Sequence, residues 1–158
     1  MKYVVGVSDM VVSAQPGDEI VTHALGSCVG VVIHDPVAGV GGILHYMLPL
    51  SGADPAKSRA NPCMFGDTGI PRLFEKAYEF GARKERLRVV IAGGAQVFAR
   101  QNFFDIGRRN VVIARKLFWK NNVLIAAEHV GGEMPRTLYL SVGSGETWFT
   151  SHGTRVEL

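Results

Sequence analysis

The stretch CVGVVIHDPVAGVGGILH, residues 28–45, has the pattern of two β-strands joined by a tight turn. Apolar and β-branched residues form a run of strand length on each side of the turn. Between the two runs, Asp35 and Pro36 suit the first and second positions of a type I turn. The stretch therefore predicts an antiparallel hairpin.

The position of the turn sets the register of this hairpin. A four-residue loop of residues 35–38 puts His34 opposite Gly39, and the same register puts Cys28 opposite His45. Directly opposed residues share a face of the sheet, with Cβ atoms about 4.5–5.5 Å apart. A slip of one residue would place the two side chains on opposite faces. The predicted register therefore brings a sulfur and an imidazole within reach of each other.

A cysteine beside a histidine is a common arrangement of a thiol nucleophile and its base. The thiolate is the reactive form, and an ordinary thiol with a pKa of about 8.5 is mostly protonated near neutral pH. An imidazole can take the proton and hold the resulting ion pair. Cys28 is therefore the candidate nucleophile and His45 the candidate base. Thr22, in the preceding predicted strand, is the candidate third member, because its hydroxyl can orient the imidazole.

The residues before Cys28 are candidates for binding an oxyanion. Gly26 and Ser27 form a flexible approach, and the backbone N–H groups of Cys28 and Ser27 could stabilise a developing negative charge. Two other interpretations stay open. A buried cysteine is most often a small apolar residue. A zinc site of Cys28, His45 and Cys63 is also conceivable, although the spacing matches no compact ligand pattern.

Outside the hairpin, the pattern predicts two helices and several more strands. An apolar stripe of helical period predicts a helix over residues 67–81, capped by Asp67 or Thr68, and a second helix over residues 107–119. Residues 51–66 predict a long surface loop. This order predicts an α/β fold, a layered α/β sandwich with a mixed, largely antiparallel sheet and two main helices. Strands are predicted over residues 3–7, 19–24, 28–34, 40–47, 88–92, 123–127, 137–142 and 146–151.

The composition is that of an ordinary globular domain, predicted here as a single domain of residues 1–158. Hydrophobic residues make up 47% of the chain and charged residues 20%, which excludes a disordered chain. No apolar run approaches the about 18 residues of a membrane span, and the N-terminus lacks a signal-peptide pattern. We therefore expect no membrane insertion and a cytoplasmic location. Two cysteines are too few for a disulfide framework.

The net charge of +3 is unevenly distributed. Residues 72–120 carry 12 of the 17 Lys and Arg residues, together with four acidic residues. A nucleic-acid surface, a docking surface for an acidic protein and ordinary solvated helix faces all fit this pattern. Because no aromatic ladder interleaves the charges, as a single-strand binder requires, we expect no nucleic-acid partner.

Several short motifs follow one another along nearly the whole chain. They are LGSC at residues 25–28, DP at 35–36, HYMLP at 45–49, DT at 67–68, IAGGA at 91–95, IG at 106–107, RN at 109–110 and GG at 131–132 with Arg136. Together and in this order, they resemble the motifs of the chemoreceptor glutamine deamidase family, CheD. His129 departs from that pattern, since an acidic residue is expected there.

The resemblance implies an enzyme that hydrolyses glutamine side-chain amides of methyl-accepting chemotaxis receptors to glutamate and ammonia. It implies Cys28 as nucleophile, His45 as general base and Thr22 as third member. Some members also hydrolyse receptor glutamyl methyl esters, and some bind a CheC-type phosphatase. The implied fold is like that of toxin-type cysteine deamidases, and the thiol mechanism needs no metal or organic cofactor. The alternative function is a non-catalytic adaptor that binds the receptor or the phosphatase.

Two further groups have no assigned role in this mechanism. Phe98, Phe103 and Phe104 predict either core packing or a partner surface. Arg109 and Asn110 are interpreted as residues of a helix start rather than as catalytic residues.

Overall fold

The computed structural model describes residues 1–96 and 105–158, and within these ranges it has three α-helices and ten strands. The helices are α1 (Pro55–Ala60), α2 (Gly66–Glu79) and α3 (Ile106–Lys120). The strands are β1 (Lys2–Val4), β2 (Asp9–Ser13), β3 (Glu19–Leu25), β4 (Val29–Asp35), β5 (Val40–Tyr46), β6 (Arg88–Gly93), β7 (Ile125–Val130), β8 (Arg136–Ser141), β9 (Thr147–Ser151) and β10 (Thr154–Glu157).

The strands form two five-stranded sheets. The first sheet has the order β1-β3-β8-β9-β10, and the second has the order β2-β5-β4-β6-β7. In each sheet one neighbouring pair is parallel, β1 with β3 and β6 with β7, and the other pairs are antiparallel. The predicted layered α/β fold with mixed, largely antiparallel pairing is therefore confirmed, with the strands divided between two sheets.

Two apolar layers hold these elements together. One layer lies between the second sheet and helices α2 and α3, and it includes Val31 and Leu73. The other lies between the two sheets and includes Val32 and Leu138. Because both faces of the second sheet are covered, every residue of β4 and β5 is buried. This explains why these two strands form continuous apolar runs in the sequence.

The hairpin predicted from residues 28–45 is present, but its register differs from the prediction. Asp35 is opposite Val40, and Gly30 is opposite His45. The prediction that Cys28 pairs directly with His45 is therefore wrong by two residues.

The turn explains this difference in register. Asp35 stays in β4, and its carboxylate accepts hydrogen bonds from the N–H groups of Val37 and Ala38. Gly39 closes the loop with a φ of +68°, and its N–H donates to the Asp35 carbonyl oxygen. The loop therefore comprises residues 36–39, one position later than predicted, because the Asp35 side chain caps the turn from the end of the strand.

The start of α2 also differs from the prediction. Phe65 is the N-cap residue and provides no side-chain hydrogen bond. The carboxylate of Asp67 instead accepts hydrogen bonds from the backbone N–H and the hydroxyl of Ser51, and the Thr68 hydroxyl donates to the Pro62 carbonyl oxygen. Neither residue caps the helix as predicted, because both bind the preceding segment. That segment forms α1 and two 3₁₀ turns rather than a plain loop.

Within the described part of the chain, no helix combines the length and the apolar character needed to cross a bilayer. The predicted group of Phe98, Phe103 and Phe104 lies outside the described residues.

Candidate active site

Cys28 and His45 lie on the same face of the second sheet. Cys28 directly precedes β4, two positions before the Gly30 that is opposite His45. Because side chains alternate between faces, a shift of two residues leaves both side chains on one face. That face is turned toward the first sheet, since a Cβ at Gly30 would contact Leu138 of β8. Cys28 itself packs against the apolar layer between the sheets.

Thr22 reaches His45 from the other sheet and fixes the tautomer of its ring. The buried Thr22 hydroxyl donates to the Val5 carbonyl oxygen at 2.8 Å and lies 2.7 Å from His45 Nδ1. A hydroxyl has one hydrogen and a carbonyl oxygen can only accept, so Nδ1 must carry a proton and donate it to Thr22. In the neutral ring, Nε2 then has a free lone pair. Nε2 is buried and has no hydrogen-bond partner among the described residues.

Burial keeps both members of the candidate pair uncharged. It raises the pKa of the Cys28 thiol, against a weaker opposing effect of the residue's own backbone N–H. Burial lowers the pKa of His45 to about 4. Near neutral pH the site therefore favours a neutral thiol and a neutral imidazole over the ion pair considered from the sequence. Nucleophilic attack then has to be accompanied by proton transfer to the imidazole.

Hydrogen bonds to the three carbonyl oxygens of residues 26–28 hold this loop in place. Two of the donors are backbone N–H groups after β6, and the third is a side-chain amide of α3. The hydrogen bonds run from Ala95 N–H to Gly26 O at 2.8 Å, from Asn110 Nδ2 to Ser27 O at 2.9 Å, and from Gly94 N–H to Cys28 O at 2.8 Å.

The amide N–H groups of Ser27 and Cys28 donate no hydrogen bond to another residue of the described ranges. In a trans peptide the N–H and C=O groups point in opposite directions. Because the carbonyl groups of this loop are bound to the protein, the N–H groups point away from those partners. Such an arrangement is suited to binding an oxyanion.

Gly93 and Gly94 permit the close approach of this loop to the end of β6. Gly93 has a φ of +110° and Gly94 a φ of +63°, both in the region that favours glycine. A Cβ at Gly93 would overlap the carbonyl oxygen of Cys28, and a Cβ at Gly94 would overlap the side chain of Val111. Larger residues at either position would therefore displace the backbone beside Cys28.

We expect Gly93→Ala to lower the free energy of unfolding by about 2–4 kcal/mol, because it combines backbone strain with a steric overlap. Urea unfolding followed by tryptophan fluorescence measures this loss. Gly52→Ala is the matched control, since a Cβ at Gly52 meets no atom within 4 Å. Equal stability of the two variants would show that the loop does not depend on the glycine.

The second cysteine, Cys63, lies in a different environment from Cys28. Cys63 packs against the apolar layer under the helices, whereas Cys28 packs between the sheets. In residues 1–96 and 105–158, no group of three or more His, Cys, Asp or Glu residues is placed to hold a metal ion. The zinc alternative therefore gains no support.

His129 accepts a hydrogen bond at Nδ1 from Arg136 Nε at 2.8 Å.

Sequence reasoning missed the role of Asn110, which was interpreted as a residue of a helix start. Its side chain is fully buried and contacts the loop that carries Cys28. The sequence does contain a signal for such contacts, because residues 110, 114, 117 and 118 share the spacing of one helix face. A polar residue on an otherwise apolar stripe indicates a specific hydrogen-bonding role.

Comparison with known proteins gives consistent matches. Residues 47–151 match the family model described as CheD chemotactic sensory transduction. The chain is 49% identical over 155 residues to a probable chemoreceptor glutamine deamidase CheD of Solibacter usitatus, covering 98% of this chain and 92% of the relative. It is 49% identical over 150 residues to a probable chemoreceptor glutamine deamidase CheD 1 of Syntrophus aciditrophicus, covering 95% and 94%. A relative of the same description from Pyrococcus horikoshii is 39% identical over 144 residues, covering 90% and 87%.

Proposed function

Because this chain belongs to the CheD family, we propose that it hydrolyses glutamine side-chain amides of methyl-accepting chemotaxis receptors to glutamate and ammonia. The observation that carries the proposal is the free, buried Nε2 of His45 on the same face as Cys28. A base with a fixed tautomer on the same face as a thiol is suited to acyl transfer.

In the first half of the proposed reaction, Cys28 Sγ attacks the amide carbon and the thiol proton moves to His45 Nε2. The carbonyl oxygen becomes an oxyanion, stabilised by the N–H groups of Cys28 and Ser27. His45 then gives its proton to the amide nitrogen. The C–N bond breaks, ammonia leaves, and a γ-glutamyl thioester remains on Cys28.

In the second half, water attacks the thioester carbon and gives a proton to His45 Nε2. The C–S bond breaks, the proton returns to the sulfur, and glutamate is released. One water is consumed and one ammonia is formed, so the enzyme returns to its neutral resting pair. The same steps support glutamyl methyl esters as a further proposed substrate, with methanol as the leaving group.

We also propose that the chain acts in the cytoplasm, where the receptor segments that it would modify are exposed. The resemblance supports a CheC-type phosphatase as a second proposed partner.

Thr22→Val is expected to lower kcat by about 10²-fold, because the isosteric side chain no longer accepts a hydrogen bond from His45 Nδ1. Thr22→Ser is the matched control, since it keeps the hydroxyl and should remain close to the wild-type rate. Ammonia release from a receptor fragment measures both variants. A Val variant with wild-type kcat would remove Thr22 from the proposed mechanism.

Mass spectrometry of receptor cytoplasmic fragments tests the proposed function directly. Fragments are incubated with and without the protein, and peptides are searched for the mass gain of an amide converted to an acid. We expect conversion at specific glutamines and none elsewhere. Unchanged masses with folded protein would contradict the proposal.

A further inference from the structure

Asn110 links the two segments that flank the candidate catalytic pair. Its Nδ2 donates to the carbonyl oxygens of Ser27 and Met47, both at 2.9 Å. Its backbone carbonyl oxygen accepts a hydrogen bond from the Tyr46 hydroxyl at 2.5 Å. One buried residue of α3 therefore contacts both the loop before β4 and the end of β5.

The side chain of Asn110 acts only as a donor in the described structure. Both hydrogens of Nδ2 are used, whereas the buried Oδ1 has no hydrogen-bond partner among the described residues. An unsatisfied buried acceptor costs stability. The two donated hydrogen bonds are therefore the contribution of this side chain to the surrounding structure.

The hydrogen bond to Ser27 fixes the orientation of a particular peptide group. The Ser27 carbonyl belongs to the same planar peptide as the Cys28 N–H. The structure has no cis peptide bond in the described residues, so these two groups point in opposite directions. Holding the Ser27 oxygen toward α3 therefore turns the Cys28 N–H away from α3. A hydrogen bond at the carbonyl also polarises the peptide and strengthens the N–H as a donor.

We propose that Asn110 is a positioning residue that orients the Ser27–Cys28 peptide so that the Cys28 N–H stabilises the oxyanion. The second hydrogen bond, to Met47, ties this peptide to the strand end that carries His45. The inference rests on the proposed thiol chemistry at Cys28, but it does not depend on the receptor as substrate.

Two reagents distinguish orientation of the oxyanion donor from general support of the fold. p-Nitrophenyl acetate acylates Cys28 through a tetrahedral oxyanion: the S–C bond forms, the ester C–O bond breaks, nitrophenolate leaves, and His45 takes the thiol proton. Iodoacetamide alkylates Cys28 by direct displacement of iodide, without an oxyanion. Both rates are measured in a Cys63→Ser background, so that Cys28 is the only thiol.

Asn110→Ala is expected to slow acylation by about 10²-fold and to leave the alkylation rate unchanged. Asn61→Ala is the matched control: Asn61 Nδ2 also donates to a backbone carbonyl, that of Ser8, but the hydrogen bonds of the Asn61 side chain do not involve the loop of residues 26–28. This control should change neither rate.

An equal fall in both rates, or no fall in acylation, would overturn the proposal. If Asn110→Ala does not fold, Asn110→Leu replaces it, since leucine fills a similar volume without a donor, and the same selective loss of acylation is expected. Failure of both variants to fold would assign Asn110 to the fold alone and also overturn the proposal. Asn110-dependent acylation in a protein that deamidates no receptor would support this inference and contradict the proposed function.

Discussion

Cys28→Ala is expected to abolish receptor deamidation, with a loss of about 10⁴-fold or more in kcat. The variant lacks the sulfur that forms the thioester in the proposed reaction, and neither His45 nor the loop N–H groups can replace a nucleophile. The substitution removes only a sulfur from a partly buried side chain, so the fold should be retained. Ammonia release and the masses of receptor peptides measure the loss.

Cys63→Ala is the matched control for this prediction. Cys63 is also a free, partly buried thiol, but it packs under the helices and not between the sheets. We expect its removal to leave kcat within the scatter of the wild-type measurement. Deamidation by Cys28→Ala at the wild-type rate would overturn the proposed mechanism. A wild-type protein that binds receptor fragments without changing their masses would instead favour the adaptor alternative.

Six strands were predicted with both boundaries within one residue of the observed ones: β3, β4, β5, β6, β8 and β9. Three of them, β4, β5 and β6, form continuous apolar runs. The sequence does not predict β2 and β10. β2 is an edge strand of the second sheet with an exposed start, and all four residues of β10 are exposed. β10 lacks the apolar signal on which sequence reasoning depends, whereas β2 contains the short apolar run Met10, Val11 and Val12, which was not interpreted as a strand.

The predicted site required only that Cys28 and His45 share a face of the sheet, which an error of an even number of residues in the register preserves. The error of two residues left Cys28 and His45 on one face, whereas an error of one would have separated them. The contacts of Asn110 were not predictable in the same way. Its partners Ser27 and Met47 lie 83 and 63 residues earlier in the chain, and no local pattern connects such positions. The neutral state of the pair also depends on burial, which only the packed sheets establish.

His45→Asn is expected to reduce deamidation by about 10³-fold. Asparagine can keep an N–H donor directed at the Thr22 hydroxyl, but it has no basic nitrogen to take the proton of the Cys28 thiol. Ammonia release from receptor fragments measures the loss. A variant that retained the wild-type rate would show that another group serves as the base.

The same substitution is expected to flatten the dependence of stability on pH. Burial lowers the pKa of His45 from its ordinary value of 6.5 to about 4. Between these values the unfolded chain binds a proton at this residue and the folded chain does not. The free energy of unfolding therefore falls as the pH decreases from 6.5 to 4, by up to about 3 kcal/mol. Above pH 6.5 the imidazole is neutral in both the folded and the unfolded state, so it no longer makes the free energy of unfolding depend on pH.

Urea unfolding of the wild type and of His45→Asn across this pH range tests the linkage. His129, whose pKa is lowered by burial and by the charge of Arg136, titrates in both proteins. The difference between the two curves therefore isolates His45. Burial alone would raise the pKa of Asp35, but hydrogen bonds to its carboxylate outweigh burial and lower the pKa from 3.8 to about 2. The stabilisation that these hydrogen bonds provide is therefore lost only below pH 3.8, outside the measured range. Parallel curves between pH 6.5 and 4 would show that His45 can be protonated without unfolding the site.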